Sequence, residues 1–228
     1  MEGISKMKKT LVASFALLSL TGCVSAVNNT LAEKTKHVEY YRIFDIKTDA
    51  NRHVVAKAAS DGLGSNTSDI NENMPIPTFS EPPEKPGRFK VSNPFQGTKM
   101  GALMAAGGNA SFKVATCEDS VWTANAKKTV NGSFDLTLTA CLFEYKEGYH
   151  LDMFASFAKQ EGGIMQLSRS MAAAMVGTPE EWTEKTFLDV VRSIHKTTSA
   201  EIKFIEGYPQ VSGTPWLDSG ETYSQNTK

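Results

Sequence analysis

The sequence has few of the residues and patterns from which an activity is normally inferred. Its 228 residues include only three cysteines and four histidines. No histidines stand at metal-ligand spacing and no CxxC pair is present, which argues against zinc and thiol-redox chemistry. The glycines near residue 107 lack the GxxxxGK[ST] spacing of a phosphate-binding loop. We therefore predict no catalytic residues, no metal and no cofactor.

Neither charge nor hydropathy indicates a nucleic-acid partner or a membrane-spanning segment. Acidic and basic residues number 25 and 24, and both signs are interspersed along the chain. Without a basic face, nucleic acid is not expected as a partner. The main apolar run, residues 11–20, is about half the length of roughly 20 residues that a transmembrane helix needs.

The N-terminus has the order of a secretory signal peptide. Three lysines precede the apolar run, at positions 6, 8 and 9, and small residues follow it. A basic start, a short apolar core and small residues at a cleavage point are typical of a segment that is removed on export. The pattern predicts that the protein leaves the cytoplasm.

The end of this segment, Leu20-Thr21-Gly22-Cys23, resembles the lipobox of bacterial lipoproteins. That family has a leucine three residues before the cysteine, then a small residue, then glycine or alanine. The resemblance implies cleavage after residue 22, a diacylglycerol thioether on Cys23 and an acylated amine, so that lipid anchors the chain to the membrane. The residue after Cys23 is Val24 and not aspartate, which by the same resemblance implies sorting to the outer membrane, facing the periplasm. An ordinary signal peptide cut after Ala26 is the alternative.

Two cysteines remain once Cys23 is set aside, and an isolated pair in an oxidising compartment indicates a disulfide. Cys117 and Cys141 each lie out of phase with the apolar residues of a strand-like stretch. This phase predicts that both thiols face the same side of a shared sheet. A bridge would close a loop of about 25 residues, worth roughly 3.5 kcal/mol by loop-closure entropy. Two free thiols are the alternative.

Alternating apolar residues predict a central antiparallel meander over 110–158. The strand-like stretches are 110–117, 120–127, 133–145 and 149–158, and Asn131-Gly132 is the strongest turn signal between them. Helices are expected before and after the meander in the sequence, and Thr178-Pro179-Glu180-Glu181 forms a capping box at the start of the last one. The predicted fold class is α+β, a mainly antiparallel sheet with helices packed on one face. This architecture is similar to the compact α/β/α folds of PsbP and Mog1.

One domain is predicted over residues 38–208, after a tether at 23–37 and before a polar tail at 209–228. Six of the nine prolines lie in a segment at 64–97. A loop this long inside a domain is usually either functional or disordered. We interpret it either as a solvated excursion or as a segment that docks a partner protein through Met74, Ile76 and Phe79.

His150, Asp152 and Ser156 fall on one side of the last meander strand, which suggests a catalytic relay. Alternate residues of a strand are roughly 6.6 Å apart, whereas a relay needs direct hydrogen bonds of about 3 Å. The simpler prediction is a solvated strand face.

Methionines supply a further binding hypothesis. A stretch at 164–175 has apolar residues at helical spacing, and core packing is its simplest interpretation. Methionine side chains are also adaptable enough to line an apolar binding site. The candidate wall of such a site is Met153, Met165, Met171 and Met175.

Three classes of function follow from these patterns. The first is a non-catalytic envelope lipoprotein that binds a partner protein or docks onto an envelope assembly. The second is a protein that binds a small apolar ligand or lipid. The third is an enzyme whose site is assembled from distant residues. The lipid anchor, the proline-rich segment and the predicted disulfide favour the first, and no pattern indicates the oligomeric state.

Overall fold

The computed structural model describes residues 34–67, 69–76, 81–106, 113–130, 134–161 and 177–210. Along the chain the elements are β1 (Lys34–Lys47), α1 (Arg52–Gly64), β2 (Asp69–Asn73), β3 (Lys90–Ser92), α2 (Lys99–Ala106), β4 (Val114–Thr116), β5 (Trp122–Val130), β6 (Phe134–Tyr145), β7 (Gly148–Glu161), α3 (Pro179–Thr198) and β8 (Glu201–Tyr208).

The main sheet is antiparallel and has six strands in the order β2-β5-β6-β7-β1-β8. β5, β6 and β7 form a meander, as the alternation predicted, although the Asn131-Gly132 turn lies outside the described residues. β1 pairs with β7 along its whole length, from Lys34 opposite Glu161 to Lys47 opposite Gly148. β8 then pairs with the other edge of β1. The predicted α+β class with a mainly antiparallel sheet is confirmed.

The main hydrophobic core lies between one face of this sheet and the helices α1 and α3. On β7 every second residue from Tyr149 to Phe157 is buried in this core, as the period of two predicted. The inner side of α3 is formed by Phe187, Val190, Val191 and Ile194, all fully buried.

Gly62 allows α1 and α3 to approach each other closely. A Cβ atom at Gly62 of α1 would lie 2.5 Å from the Cα of Val190 in α3, so no larger residue fits there.

At the start of α3 the Thr178 hydroxyl accepts a hydrogen bond from the Glu181 N–H at 3.1 Å. The Glu181 carboxylate accepts one from the Thr178 N–H at 2.8 Å. The predicted capping box is therefore present.

A buried ion pair interrupts the apolar core on the helix-facing side of β1. Arg42, 1% exposed, donates to both carboxylate oxygens of Glu184 on α3, at 3.3 Å from Nε and 2.8 Å from Nη2. Its Nη1 donates to the carbonyls of Tyr41 and Pro209, each at 2.9 Å. Burial raises the pKa of Glu184, and the guanidinium opposes that rise. The pair joins β1, α3 and the residues that follow β8.

The structure departs from the predicted layout in three places. β1 begins at Lys34, inside the stretch that the sequence assigned to the tether. β2, a strand with four polar residues among its five that alternation does not reveal, lies within the proline-rich segment and pairs with β5. The first predicted meander strand, at 110–117, contributes only β4, which pairs with β3 in a separate two-stranded sheet.

Candidate functional site

The second face of the main sheet is covered by the last part of the proline-rich segment, residues 81–89, which we call the strap. The Pro83 carbonyl accepts a hydrogen bond from the Lys146 N–H at 3.0 Å, at the turn between β6 and β7. Further along, the Phe89 N–H donates to Asp152 of β7 at 3.0 Å. Between these two anchors a Cβ atom at Gly87 would lie only 2.6 Å from the ring of Phe143. The strap therefore packs directly on the sheet.

The composition of the strap explains its extended path across the strands. Pro82, Pro83 and Pro86 hold their backbones near φ −65° and exclude a helix. Gly87 lets the backbone approach the Phe143 ring more closely than any other residue would.

The covered face corrects the interpretation of the polar residues on β7. Asp152 is fully buried, and the side chain of His150 is 15% exposed. Ser156, like His150, has intermediate burial. The prediction of a solvated strand face is wrong, because a segment distant in sequence removes the face from water.

A disulfide joins the small sheet of β3 and β4, which directly follows the strap, to the main sheet. Cys117 and Cys141 are bridged, with their Cα atoms 5.6 Å apart and 24 positions apart in sequence. The predicted pairing is confirmed, but the predicted geometry is not. Cys141 lies on the second face of β6, whereas Cys117 directly follows β4 in the small sheet. The bridge therefore joins two sheets and does not link neighbouring strands of one sheet.

A cluster of buried polar side chains lies on the second face beside the strap. The Tyr145 hydroxyl donates to Asp45 Oδ1 at 2.6 Å, and His150 Nε2 lies 3.6 Å from the same oxygen. Asp152 accepts the Phe89 N–H through Oδ2. Among the described residues, Asp152 Oδ1 and His150 Nδ1 have no protein hydrogen-bond partner.

The protonation of this cluster is governed mainly by burial. Burial raises the pKa of Asp152 to about 7, against the opposing effects of the Phe89 N–H and the Arg88 charge. Burial lowers the pKa of His150, while Asp45 opposes the shift and Arg88 adds to it. The pKa of Tyr145 is raised by burial and by its hydrogen bond to Asp45. Neutral forms of these groups are thus favoured in the folded state.

We expect Asp152 to make the folded state less stable as pH rises. Its folded pKa lies above the ordinary value of 3.8, so between the two values the folded chain binds a proton that the unfolded chain lacks. Stability then falls by about 1.4 kcal/mol per pH unit, or about 2–3 kcal/mol from pH 5 to pH 7. Urea unfolding of Asp152→Asn should lack this loss, because the amide oxygen still accepts the Phe89 N–H.

The control for this prediction is Asp61→Asn, which changes an exposed carboxylate of α1 that pairs with Lys57. This variant should keep the pH dependence of the unaltered protein. Equal pH dependence in Asp152→Asn and the unaltered protein would show that the Asp152 carboxyl is ionised throughout this range.

An open groove adjoins the strap where it meets the small sheet. Three aromatic rings line it: Phe89 lies 5.8 Å from Tyr41 and 6.0 Å from Phe154 between ring centroids. Ion pairs stand at its rim, Lys113 with Glu39 at 2.9 Å and Arg88 with Glu206. The cavity volume is about 430 Å³. We call this feature the aromatic groove.

None of the predicted binding residues that the structure describes lines this groove. Ile76 is 92% exposed and Met74 is 37% exposed, on the stretch that follows β2. Met153 is fully buried in the main core. Cys23, Phe79, Met165, Met171 and Met175 lie outside the described residues.

Sequence reasoning missed the residues that line the groove. Arg88 and Phe89 lie in a segment for which the sequence predicts little regular structure. Tyr41 and Phe154 are directly opposite in the pairing of β1 with β7 and face the strap. An aromatic residue on the polar phase of a strand, as Phe154 is beside His150 and Asp152, is the signal that indicates a covered face.

The fold and the covered face define the class of protein as α+β, with helices on one side of an antiparallel sheet and a disulfide-linked strap on the other. No family model and no curated protein matches the chain. In the part of the chain that the structure describes, no helix is long and apolar enough to cross a membrane. Within those same ranges no three His, Cys, Asp or Glu side chains are grouped so as to hold a metal ion.

Proposed function

We propose that the protein is a lipid-anchored lipoprotein of the bacterial cell envelope. The lipobox resemblance of Leu20-Thr21-Gly22-Cys23 supports the anchor. The disulfide between Cys117 and Cys141 supports an oxidising compartment such as the periplasm. In this proposal Cys23 carries the lipid, and the folded domain faces the periplasm from the outer membrane.

The domain acts in this proposal as a binding module for another envelope protein. The observation that carries this role is the aromatic groove, which is open to solvent between the strap and the sheet. Aromatic and arginine side chains in a pocket are typical of the centres of protein interfaces. The occupant we propose is an extended peptide segment of the partner, with an apolar side chain between Tyr41, Phe89 and Phe154. Charges of both signs at the rim would then orient its backbone and polar side chains.

Lipidation is tested by metabolic labelling with a fatty acid and by fractionation of cells. The unaltered protein should carry label and remain with the membrane fraction, whereas Cys23→Ser should carry no label and become soluble. Absence of label from the unaltered protein would contradict the proposed anchor.

Partner binding is tested by a photocrosslinking amino acid placed at Val91, which lines the groove and is 38% exposed. In intact cells it should give one discrete adduct that is lost in Phe89→Ala. The matched control is the same amino acid at Lys57, an exposed position on α1. The same adducts at both positions, or none at Val91, would contradict a partner in the groove.

A further inference from the structure

The short helix α2 presents large apolar side chains to solvent. Leu103 is 68% exposed and Met100 is 54% exposed. None of the α2 side chains that the structure describes is buried. A helix of eight residues gains little from intrinsic propensity in water and normally needs a packed face. An apolar helix that faces outward therefore indicates a contact surface.

The residues before α2 order its first turn. The Gly101 N–H donates to the Thr98 hydroxyl at 3.0 Å, and the Thr98 N–H donates to the Phe95 carbonyl at 3.1 Å. A Cβ atom at Gly101 would collide with the Phe95 carbonyl oxygen. The backbone of this turn is thus tightly packed, while the side chains of Met100 and Leu103 are exposed to solvent.

The charge around α2 suits a negatively charged surface. Between residues 85 and 117 there is no aspartate or glutamate, in a chain that has 25 of them. The basic residues of this range are Lys85, Arg88, Lys90, Lys99 and Lys113. Arg88, Lys90 and Lys113 pair with carboxylates from elsewhere, so Lys99, at the start of α2, is the basic residue next to the apolar patch. No acidic side chain of this range would have to enter a layer of lipid headgroups.

The connection that contains α2 leaves the domain near the point where the N-terminal chain enters it. α2 lies between β3 and β4, and Lys113, directly before β4, pairs with Glu39 at 2.9 Å. Glu39 follows the start of β1 at Lys34 by only five residues. The stretch from Cys23 to Lys34 spans at most about 40 Å when fully extended. An anchor at Cys23 would therefore hold the edge of the domain formed by Glu39 and Lys113 within reach of the bilayer.

We propose that α2 binds the surface of a phospholipid bilayer that contains anionic headgroups, with Met100 and Leu103 inserted at the boundary between headgroups and acyl chains and Lys99 among the headgroups. Surface helices with apolar residues on one side and lysine at the headgroup level bind membranes in this way. The proximity of the bilayer rests on the proposed lipid anchor, whereas the contact itself rests on the exposed helix. Insertion would fix the orientation of the domain, and with it the direction in which the aromatic groove faces.

The test uses the lipidated full-length mature protein in vesicles, with an environment-sensitive fluorophore attached at Leu103→Cys. The native cysteines do not interfere, because Cys117 and Cys141 are bridged and Cys23 carries lipid. In vesicles containing phosphatidylglycerol the emission should shift to the blue, rise several-fold and be quenched by brominated acyl chains. The matched control is the fluorophore at Val54→Cys, also an exposed apolar position but on α1, which should show none of these changes.

A second variant separates insertion from mere proximity. Met100→Ser, made in the protein labelled at position 103, should weaken the quenching by brominated lipid, and Lys99→Gln should reduce the preference for anionic over neutral vesicles. Neither residue packs in the core, so thermal unfolding should be unchanged. Equal emission at positions 103 and 54 in every vesicle would overturn the proposal and leave α2 as a surface for protein contact.

The failure of this proposal is distinguishable from the failure of the anchor. Protein that floats with vesicles while the probe at position 103 remains in water retains the anchor and overturns insertion. An unlipidated Cys23→Ser chain whose probe at position 103 still enters anionic vesicles supports insertion independently of the anchor, which fatty-acid labelling of the unaltered protein tests on its own.

Discussion

Replacement of Arg42 by methionine is expected to lower the free energy of unfolding by about 3–5 kcal/mol, because it leaves the buried Glu184 carboxyl without its cation. The arginine also binds the carbonyls of Tyr41 and Pro209, and both would lose a donor. Burial already raises the pKa of Glu184, and Arg42 opposes that rise. Without Arg42 the carboxyl becomes neutral more readily, so the loss should be largest at alkaline pH and smaller in acid. Urea unfolding at several pH values measures it.

A double-mutant cycle isolates the ion pair from the rest of the site. Arg42→Met with Glu184→Leu removes both charges and fills the space with apolar atoms, and it should be much closer to the unaltered protein than either single change. Arg42→Lys is a stricter test, because a lysine cannot donate to two carboxylate oxygens and two carbonyls in the same planar geometry. Additive losses in the double variant would show that the two side chains act independently.

The helix-facing half of this fold is predictable because its signals are local. The period-two pattern of β7 identifies the buried face, and the capping box at Thr178 identifies the start of α3. Each signal depends on residues that are neighbours in the sequence and share one element. The order β2-β5-β6-β7-β1-β8 is not predictable in the same way, because β1 joins β7 across more than a hundred residues. Only tertiary packing selects that pairing.

The second face was mispredicted for a related reason. His150 and Asp152 have the composition of a solvated strand, and although Phe154 indicates a covered face, nothing within β7 identifies residues 81–89 as the cover. The covering contacts use backbone groups and a glycine, namely the Phe89 N–H, the Pro83 carbonyl and Gly87. Such contacts leave almost no trace in residue type. The burial of Arg42 is equally hard to predict, because an arginine in a strand is expected to be exposed unless its partner on α3 is known.

Reduction of the Cys117–Cys141 bridge is expected to lower the free energy of unfolding by about 3.5 kcal/mol, since a loop of about 25 residues gains freedom in the unfolded chain. For a domain of this size that corresponds to a fall in Tm of roughly 7–14 °C. Thermal unfolding with and without reductant measures it. The control is Cys117→Ala with Cys141→Ala, which should have the lower Tm from the outset and show no further response to reductant. A similar Tm in all four samples would contradict this prediction.

The bridge should also affect one face of the sheet more than the other. It joins the small sheet of β3 and β4 to β6, and β3 directly follows the strap. Loss of the bridge removes a covalent restraint on Phe89, whose N–H donates to buried Asp152. Amide exchange at Phe89 should therefore accelerate by more than exchange at Met153, which faces the helices from the same strand as Asp152. Equal acceleration at the two amides would mean that the bridge stabilises the whole domain without holding the strap. A selective effect at Phe89 would make the aromatic groove dependent on an oxidising compartment, because Phe89 forms one of its walls.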